Sequence, residues 1–270
     1  MTKPTTYTAL VLAGSREKDD PIATSYAGGI KLKTFVPVGG VPMLVRVLKN
    51  VLASPYIGRV IVCLPNPSSL DTIAELSHYI AEKKLLSIPT EATPVLSVLS
   101  AIEMIKDPLP LLVTTGDHPL LTPPMINYFI EHLPEQADFV VALAAASLIT
   151  QHYPKAIRTF YKFMDDGYSG CNLFALLHPN AANVGQYWLK MEKHRKKPWQ
   201  LIKQIGPMVL LKFLRGKIDL PTALSIISKK TNADIRHVLM PFAEAAIDID
   251  KPEDLILVEQ ILANQQQVLN

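Results

Sequence analysis

Four short segments of this 270-residue sequence carry residue types that suit phosphate and metal chemistry. The first ends an apolar run with small residues and a cation: Leu12, Ala13, Gly14, Ser15 and Arg16. Backbone N–H groups exposed at such a turn can bind phosphate oxygens, and the arginine can neutralise them. The segment lacks the spacing of GxGxxG and GxxxxGK[ST], which argues against a dinucleotide dehydrogenase and a P-loop NTPase. The alternative is a plain turn with a solvated arginine.

The second and third segments add cations and a carboxylate. Lys31 and Lys33 precede the stretch TFVPVGGVPML, and by themselves they are typical of solvated loop cations. Asp117 lies in TTGDHP, directly after an apolar run at residues 109–114. Ligands bind at the carboxyl ends of strands in open α/β sheets, so Asp117 is placed to hold a hard cation. An Asx turn that ends the strand is the alternative.

The fourth segment, AIDIDKPEDL, carries Asp248 and Asp250 near the end of the chain. Two residues apart on a predicted strand at 245–249, these carboxylates point to one face. Asp250 and Glu253 also fit the Asp-x-x-Glu pattern of a capping box, so Asp250 is predicted to cap the last helix. A capping carboxylate can still offer its second oxygen to a cation.

The elements that must position these segments alternate along the first half of the chain. Apolar runs of strand length lie at residues 8–12, 59–64, 109–114 and 139–145. Segments of helical periodicity lie at residues 42–52, 69–82, 95–105 and 123–133. This pattern predicts a three-layer α/β/α sandwich with a mostly parallel, Rossmann-like sheet. The strand at 245–249 and a helix at 252–262 close the predicted fold.

Residues 151–241 lose this alternation and are basic. No Gly/Ser-rich or Pro-rich linker bounds them, so we predict a helical elaboration on the functional edge of one domain, residues 1–270. Within it, residues 195–217 mix cations with large apolar side chains, as an interfacial helix on an anionic membrane does. A pair of short helices buried against the core would have the same composition.

Composition excludes several classes of protein. The 27 basic and 24 acidic residues leave a net charge of only +3, which argues against a nucleic-acid partner held by bulk charge. Hydrophobic residues make up 49% of the chain, which excludes disorder. Two cysteines without zinc-site spacing indicate a reducing compartment. No signal peptide or membrane span is predicted, so we expect a cytoplasmic location.

In this order, LAGSR, the lysine before VPVGGVPML, TTGDHP and AIDIDKPEDL together resemble the MobA-like NTP transferases. That group includes molybdenum cofactor guanylyltransferase and small-molecule cytidylyltransferases. The resemblance covers residues 10–134 and runs again from 245 to the C-terminus. It implies a fold of the nucleotide-diphospho-sugar transferase type. It also implies Mg²⁺-dependent transfer of an NMP from an NTP, CTP or GTP, to a small phosphorylated or hydroxyl acceptor, with release of pyrophosphate.

The resemblance also implies roles for individual residues. Arg16 and Lys33 would act on the phosphates, and Asp117 with Asp250 would hold Mg²⁺, Asp248 being the second candidate for the latter position. Residues that would bind the nucleotide are Leu12, Ala13, Gly14, Ser15, Ser97 and Gly116. Residues that would bind the acceptor are His118, Gly170 and Asn172. The basic cluster Arg195, Lys196 and Lys197 lies in a segment that the smallest family members lack, and its charge, not the resemblance, makes it a candidate for binding an acceptor phosphate or the phosphates of a bilayer. The chain departs from the family pattern in having one glycine in the first loop and a long insert at residues 17–28 before the lysines.

Two rival functions are consistent with parts of the sequence. Asp248 and Asp250 form an Asp-x-Asp, which also occurs in GT-A glycosyltransferases that use nucleotide-sugar donors. Those enzymes carry the pair in mid-chain, whereas here it precedes the last helix and Asp117 occupies the mid-chain position. A non-catalytic nucleotide-binding regulator is the other rival, and the presence of Arg16, Lys33, Asp117 and Asp250 favours an enzyme over it. No feature of the sequence predicts an oligomeric state.

Overall fold

The structure is a computed structural model that describes residues 6–14, 20–26, 32–193 and 206–269. Several residues to which the sequence assigns a role lie outside these ranges: Ser15, Arg16, Lys31, Arg195, Lys196 and Lys197. Their predicted roles remain predictions.

One large sheet contains strands from both halves of the chain, and a two-stranded hairpin, β2 and β3, lies beside it. The strands of the large sheet follow the order β10-β7-β9-β6-β1-β4-β5, and β8 pairs with β9. The described residues form ten strands: β1 (Tyr7–Leu12), β2 (Pro37–Val38), β3 (Val41–Pro42), β4 (Ile57–Leu64), β5 (Leu85–Pro89), β6 (Leu111–Thr115), β7 (Phe139–Ala145), β8 (Tyr161–Lys162), β9 (Gly167–Leu176) and β10 (Ile235–Leu239). The neighbours in this sheet pair in parallel except for β9, which is antiparallel to β6, β7 and β8.

The described α-helices are α1 (Pro21–Ser25), α2 (Met43–Leu52), α3 (Ser77–Ala81), α4 (Pro94–Met104), α5 (Pro123–Glu131), α6 (Ala146–His152), α7 (Ala181–Lys193), α8 (Pro207–Leu214), α9 (Leu220–Thr231) and α10 (Pro252–Leu269). Four short 3₁₀ turns complete the described elements: Lys33–Phe35, Pro67–Thr72, Ala74–Leu76 and Ala243–Ala246.

The central strand β1 shows why the sheet is covered on both faces. Its residues are apolar without alternation, and Ala9, Leu10 and Val11 are all fully buried. Ala9 and Val11 pack in the core that contains α2 and α5, whereas Leu10 packs in a second core with Ala101 of α4 and Ala181 of α7. Successive side chains of a strand point to opposite faces, so a continuous apolar run requires two covering layers. The predicted α/β/α sandwich is confirmed.

The four strands predicted in the first half of the chain are confirmed, with ends that differ by at most two residues. The helix predicted at 69–82 is wrong, because this stretch consists of two 3₁₀ turns followed by the short α3. The strand predicted at 245–249 is also wrong. A 3₁₀ turn, Ala243–Ala246, leads there into an irregular segment, and its Ile247 and Ile249 are buried. The alternating apolar residues of this segment are therefore buried in the core, but the segment does not pair with a strand.

The description of residues 151–241 as a helical elaboration on the edge of the fold is wrong. This stretch contains β9, which lies between β6 and β7 inside the sheet, and β10, which forms one edge of it. Cys171, Leu173 and Ala175 of β9 are buried in the main core. The sequence of β9 mixes glycine, serine and asparagine with apolar residues, so it lacks the continuous apolar pattern of the other central strands.

Candidate active site

The carboxyl ends of β1 and β6 meet beside the first and third segments singled out in the sequence. The N–H of Gly116 donates to the carbonyl of Leu12 over 2.8 Å, which joins the two strand ends. A Cβ at Gly116 would lie 3.1 Å from the Leu44 side chain and 3.2 Å from those of Ala13 and Thr34. Only glycine allows this approach without displacement of its neighbours. Gly116 therefore sets the position of Asp117, the next residue.

Lys33 connects Asp117 to the C-terminal pair of aspartates. Its ammonium group donates to Asp117 Oδ2 at 2.6 Å, to the carbonyl of Ile249 at 2.9 Å and to Asp250 Oδ1 at 3.3 Å. Lys33 begins a short 3₁₀ turn that ends at Phe35. The cation that the sequence alone assigns to solvent is largely buried between two carboxylates.

The charges around Lys33 keep it protonated. Burial is the largest single effect and opposes the charged form, whereas the charge of Asp117 and the hydrogen bond to it favour the charged form. Asp250 and Asp20 add smaller effects of the same sign, so the pKa of Lys33 is raised above its ordinary value. The three N–H groups of this ammonium all have protein partners, so it can attract an anion by its charge, and a direct hydrogen bond to the anion requires one partner to be replaced.

Asp117 retains an oxygen that can bind a further group. Its Oδ1 atom is buried and has no hydrogen-bond partner among the described residues, and its side chain is 17% exposed. An unpaired carboxylate oxygen is costly to bury unless a ligand satisfies it. The backbone carbonyl of Asp117 accepts the N–H of Ile249 over 3.0 Å, so the residue is held at its main chain as well.

Asp117 and Asp250 supply enough carboxylates for a magnesium ion, but not a complete set of metal ligands. Within the described ranges, no group of three or more His, Cys, Asp or Glu side chains is arranged to hold a metal. Mg²⁺ commonly takes only one or two protein carboxylates and completes its shell with phosphate oxygens and water. Asp117 and Asp250, which share the Lys33 ammonium, meet that requirement.

Arg158 is a buried cation of this site that sequence reasoning missed. Its Nη1 donates to Asp248 Oδ1 at 2.6 Å, and its Nη2 donates to Asp254 Oδ1. Asn172 of β9 donates to the other oxygen of Asp248 at 2.6 Å, from a backbone with a positive φ of 47°. No spacing in the sequence relates Arg158 to residues 248 and 254, because the contacts span about ninety positions.

Asp248 differs from Asp250 in its surroundings. Burial, together with the negative charges of Asp250 and Asp117, raises the pKa of Asp248 to about 6, although Arg158 and Asn172 act in the opposite direction. Both of its oxygens accept protein hydrogen bonds, whereas the side chain of Asp250 is 64% exposed. Asp250 is therefore the better placed of the two to accept a ligand from solvent.

The cap of the last helix is Asp254, which corrects the prediction for Asp250 and Glu253. Asp254 Oδ2 accepts the backbone N–H groups of Asp250 at 3.0 Å and of Lys251 at 2.9 Å. This is the reach-back half of a capping box, in which an acidic residue of the first turn satisfies the N–H at the N-cap. Arg158 holds the same carboxylate from the other side. Asp250 is thus free of a capping role.

We expect the two carboxylates to differ in their effect on stability. Asp254→Ala should lower the free energy of unfolding by about 2 kcal/mol, because it removes a cap and leaves the buried Arg158 with fewer partners. Asp250→Ala is the matched control, and as an exposed side chain it should change that free energy by less than about 0.5 kcal/mol. Urea denaturation of both variants measures the difference. An equal cost at the two positions would contradict the cap assignment.

Two residues predicted to touch ligands are buried. His118 is 1% exposed, its Nε2 lies 3.3 Å from the carbonyl of Glu244, and burial lowers its pKa to about 4. Ser97 is also buried, and its hydroxyl accepts the N–H of Glu91 over 2.9 Å. Both side chains are buried in this structure, and their contacts with a ligand remain predictions. His118 supports the turn after β6, and Ser97 supports the loop before α4.

The remaining predicted residues lie at the same edge. Gly14 is exposed at the end of β1, and a Cβ there would lie 3.0 Å from Thr90 Cγ2. Gly170 of β9 is exposed, and a Cβ there would have no neighbour within 4 Å. Asn172 contacts Asp248, so its established contact is with the site and not with a substrate. The structure thus brings together Lys33, Asp117, Asp248 and Asp250, with Gly14 and Gly170 near the strand ends.

The mixed sheet with helices on both faces and a lysine–carboxylate site at its carboxyl edge places the protein in the Rossmann-like α/β class. Residues 9–166, more than half of the chain, match the MobA-like NTP transferase domain. The chain therefore belongs to the MobA-like NTP transferase family, a nucleotidyltransferase family. Among curated proteins, none matches the chain significantly.

Solved structures support the same fold. A hypothetical transferase from Thermus thermophilus superposes with a TM-score of 0.76 at 25% identity, over 93% of this chain and 99% of that one. A 4-diphosphocytidyl-2C-methyl-D-erythritol synthase from Anaerococcus prevotii gives 0.60 at 12% identity, over 96% of each chain. A CMP:2-keto-3-deoxy-manno-octonic acid synthetase complexed with CTP gives 0.54 at 11% identity, over 96% and 99%. The last two likenesses concern the fold alone.

The helices of the described ranges are short or polar relative to a bilayer-spanning helix. Of those in the described ranges, none is both long and apolar enough to cross a membrane.

Proposed function

We propose that this protein transfers an NMP from an NTP to a small phosphorylated or hydroxyl acceptor and releases pyrophosphate. The observation that carries the proposal is the arrangement around Lys33, whose protonated ammonium lies at the carboxyl edge of the sheet between Asp117 and Asp250. Membership of the MobA-like NTP transferase family supports this reaction class. CTP or GTP is the proposed donor, and CTP is supported by the structural neighbour that was solved in complex with CTP.

The reaction requires a cation at the α-phosphate more than it requires covalent chemistry. An oxygen of the acceptor forms a bond to the α-phosphorus while the bond to the β-phosphate oxygen breaks, and charge develops on the oxygens of the transferred group. Lys33 is proposed to stabilise that charge, and an acceptor phosphate needs no general base. The predicted role of Arg16 and the amides after Leu12 is to bind the rest of the triphosphate.

Asp117 and Asp250 are the proposed ligands of a magnesium ion. When bound, Mg²⁺ supplies charge neutralisation and orientation of phosphate oxygens. The unpaired Oδ1 of Asp117 and the exposure of Asp250 support this assignment. The lysine that pairs with both carboxylates balances part of their charge before any ligand binds. Asp248, with both oxygens occupied by Arg158 and Asn172, is proposed to position the segment and not to bind metal.

The experiment is release of pyrophosphate, measured for the four NTPs with Mg²⁺ and a panel of small acceptor phosphates. We expect release that requires one NTP together with one acceptor class and that ceases with EDTA. Nucleotide binding without release for every acceptor would favour the non-catalytic rival. Turnover of a nucleotide-sugar in place of an NTP would favour the glycosyltransferase, which the family match already disfavours.

A further inference from the structure

Helix α8 is apolar yet buries none of its side chains. Lys212 is its only charged residue. Met208, Leu211 and Leu214 are spaced three apart and are exposed, Met208 by 64% and Leu214 by 72%. Residues at this spacing share one face of a helix. An exposed apolar helix face is a feature of interaction surfaces, because single exposed apolar residues are common but clusters are not.

The hairpin of β8 and β9 extends this apolar face. Tyr161 and Met164 are exposed on it. The ring of Phe163 packs edge-on against Phe213 of α8 with 5.6 Å between centroids, and the N–H of Met164 donates to the carbonyl of Ile218. The two elements therefore form one region. We refer to the exposed side chains of this region as the apolar surface: Tyr161, Met164, Met208, Leu211 and Leu214.

Exposed cations lie beside the apolar surface, most of them on α8 and in the turn that follows it. The exposed cations on its elements and just beyond them are Lys162, Lys212, Arg215 and Lys217. Three carboxylates also lie nearby and are held by neutral donors: Asp165 accepts the Tyr168 hydroxyl, Asp166 accepts the Ser147 hydroxyl, and Asp219 caps α9. Residues 194–205, which precede α8 in the sequence and lie outside the described ranges, include four basic residues (Lys or Arg) and no acidic residue.

The direction of β9 places this region near the candidate active site. Because β9 is antiparallel to β6 and β7, its first residues lie at their carboxyl ends, and Tyr168 pairs with Ala145 at the end of β7. The β8–β9 turn therefore projects from the edge of the sheet that carries Asp117. Farther along β9, Asn172 contacts Asp248 of the site.

We propose that the apolar surface docks on an anionic lipid bilayer and places the carboxyl edge of the sheet near the membrane. Large apolar side chains with lysine and arginine among them are the combination that inserts at the headgroup boundary, since the long cationic stems can keep their charges at the phosphates. Attraction to anionic lipid adds to the binding. This proposal concerns binding alone and does not depend on the reaction proposed above.

The test is sedimentation of the full chain with vesicles of phosphatidylcholine alone or with about 30% phosphatidylserine, at low and moderate salt. We expect binding to the anionic vesicles that weakens as salt rises. The triple change Met208→Glu, Leu211→Glu and Leu214→Glu should lower the bound fraction at least tenfold. Lys212→Gln with Arg215→Gln should weaken binding to anionic vesicles on the order of 25-fold, or about fivefold for each cation removed.

Met104→Glu is the matched control, because Met104 of α4 is 58% exposed and lies away from the apolar surface. It should bind vesicles as the unchanged protein does, and thermal unfolding of every variant checks that the fold is retained. Failure of the unchanged protein to bind anionic vesicles at low salt would overturn the proposal. So would equal losses in the Met104 variant and the triple variant. A dimer that the triple change dissociates, without vesicle binding, would overturn it as well and assign the surface to a second copy of the chain.

Discussion

Replacing Lys33 by alanine is expected to lower kcat by a factor of about 10²–10³. The change removes the ammonium that lies between Asp117 and Asp250, and preorganised charge of this kind contributes on that scale when it acts on a transition state. It also leaves the carboxylate of Asp117 without its partner, so a modest loss of stability should accompany the loss of turnover. The measurement is pyrophosphate release with the NTP and acceptor that the panel selects.

Lys31→Ala is the matched control for this experiment, since it removes the same charge two residues away in the sequence. We expect it to change kcat by less than about threefold, the effect of a solvated cation. Equal losses from the two substitutions would contradict the assignment of Lys33. A loss confined to KM would instead indicate that Lys33 binds the ground state and the transition state equally well.

Asp117→Asn is expected to lower kcat by a factor of about 10² or more while the fold is retained. The amide keeps the shape of the side chain, and the main chain keeps the hydrogen bond from Ile249 to the Asp117 carbonyl. What is lost is the negative charge that pairs with Lys33 and the free Oδ1 proposed to bind Mg²⁺. A factor of 10² corresponds to about 2.7 kcal/mol in the activation free energy.

Magnesium titration separates the two consequences of Asp117→Asn. If Asp117 holds the metal, the Mg²⁺ concentration for half-maximal activity should rise along with the fall in kcat, and Mg²⁺ should protect the variant less against thermal unfolding. Asp138→Asn serves as a control, because that carboxylate lies before β7 and accepts the N–H of Asp234 at 2.7 Å, away from the site. Unchanged kinetics in Asp117→Asn would refute the metal assignment.

The sequence alone was sufficient to predict the features of this protein that depend on local residue patterns. Strands β1, β4, β6 and β7 are continuous apolar runs, and such runs are stable only when both faces of a sheet are covered, so layer architecture follows from the pattern. Asp117 follows β6 directly, and the end of a parallel strand places it at the ligand-binding edge. The choice of Lys33 over Lys31 came from the family resemblance and remains a prediction.

The contacts within the site required the tertiary structure. Arg158 meets Asp248 and Asp254 from ninety or more residues away, and no local pattern encodes a pairing over that distance. The capping box shows the same limit at short range. Glu253 and Asp254 are both acidic residues of the first helical turn, but Asp254, which the buried Arg158 also contacts, is the one that caps the helix. His118 and Ser97 are polar residues in the sequence, but packing buries both. The strand β9 enters the sheet because its neighbours β6 and β7 satisfy its backbone hydrogen bonds, and that stabilisation does not require an apolar sequence pattern.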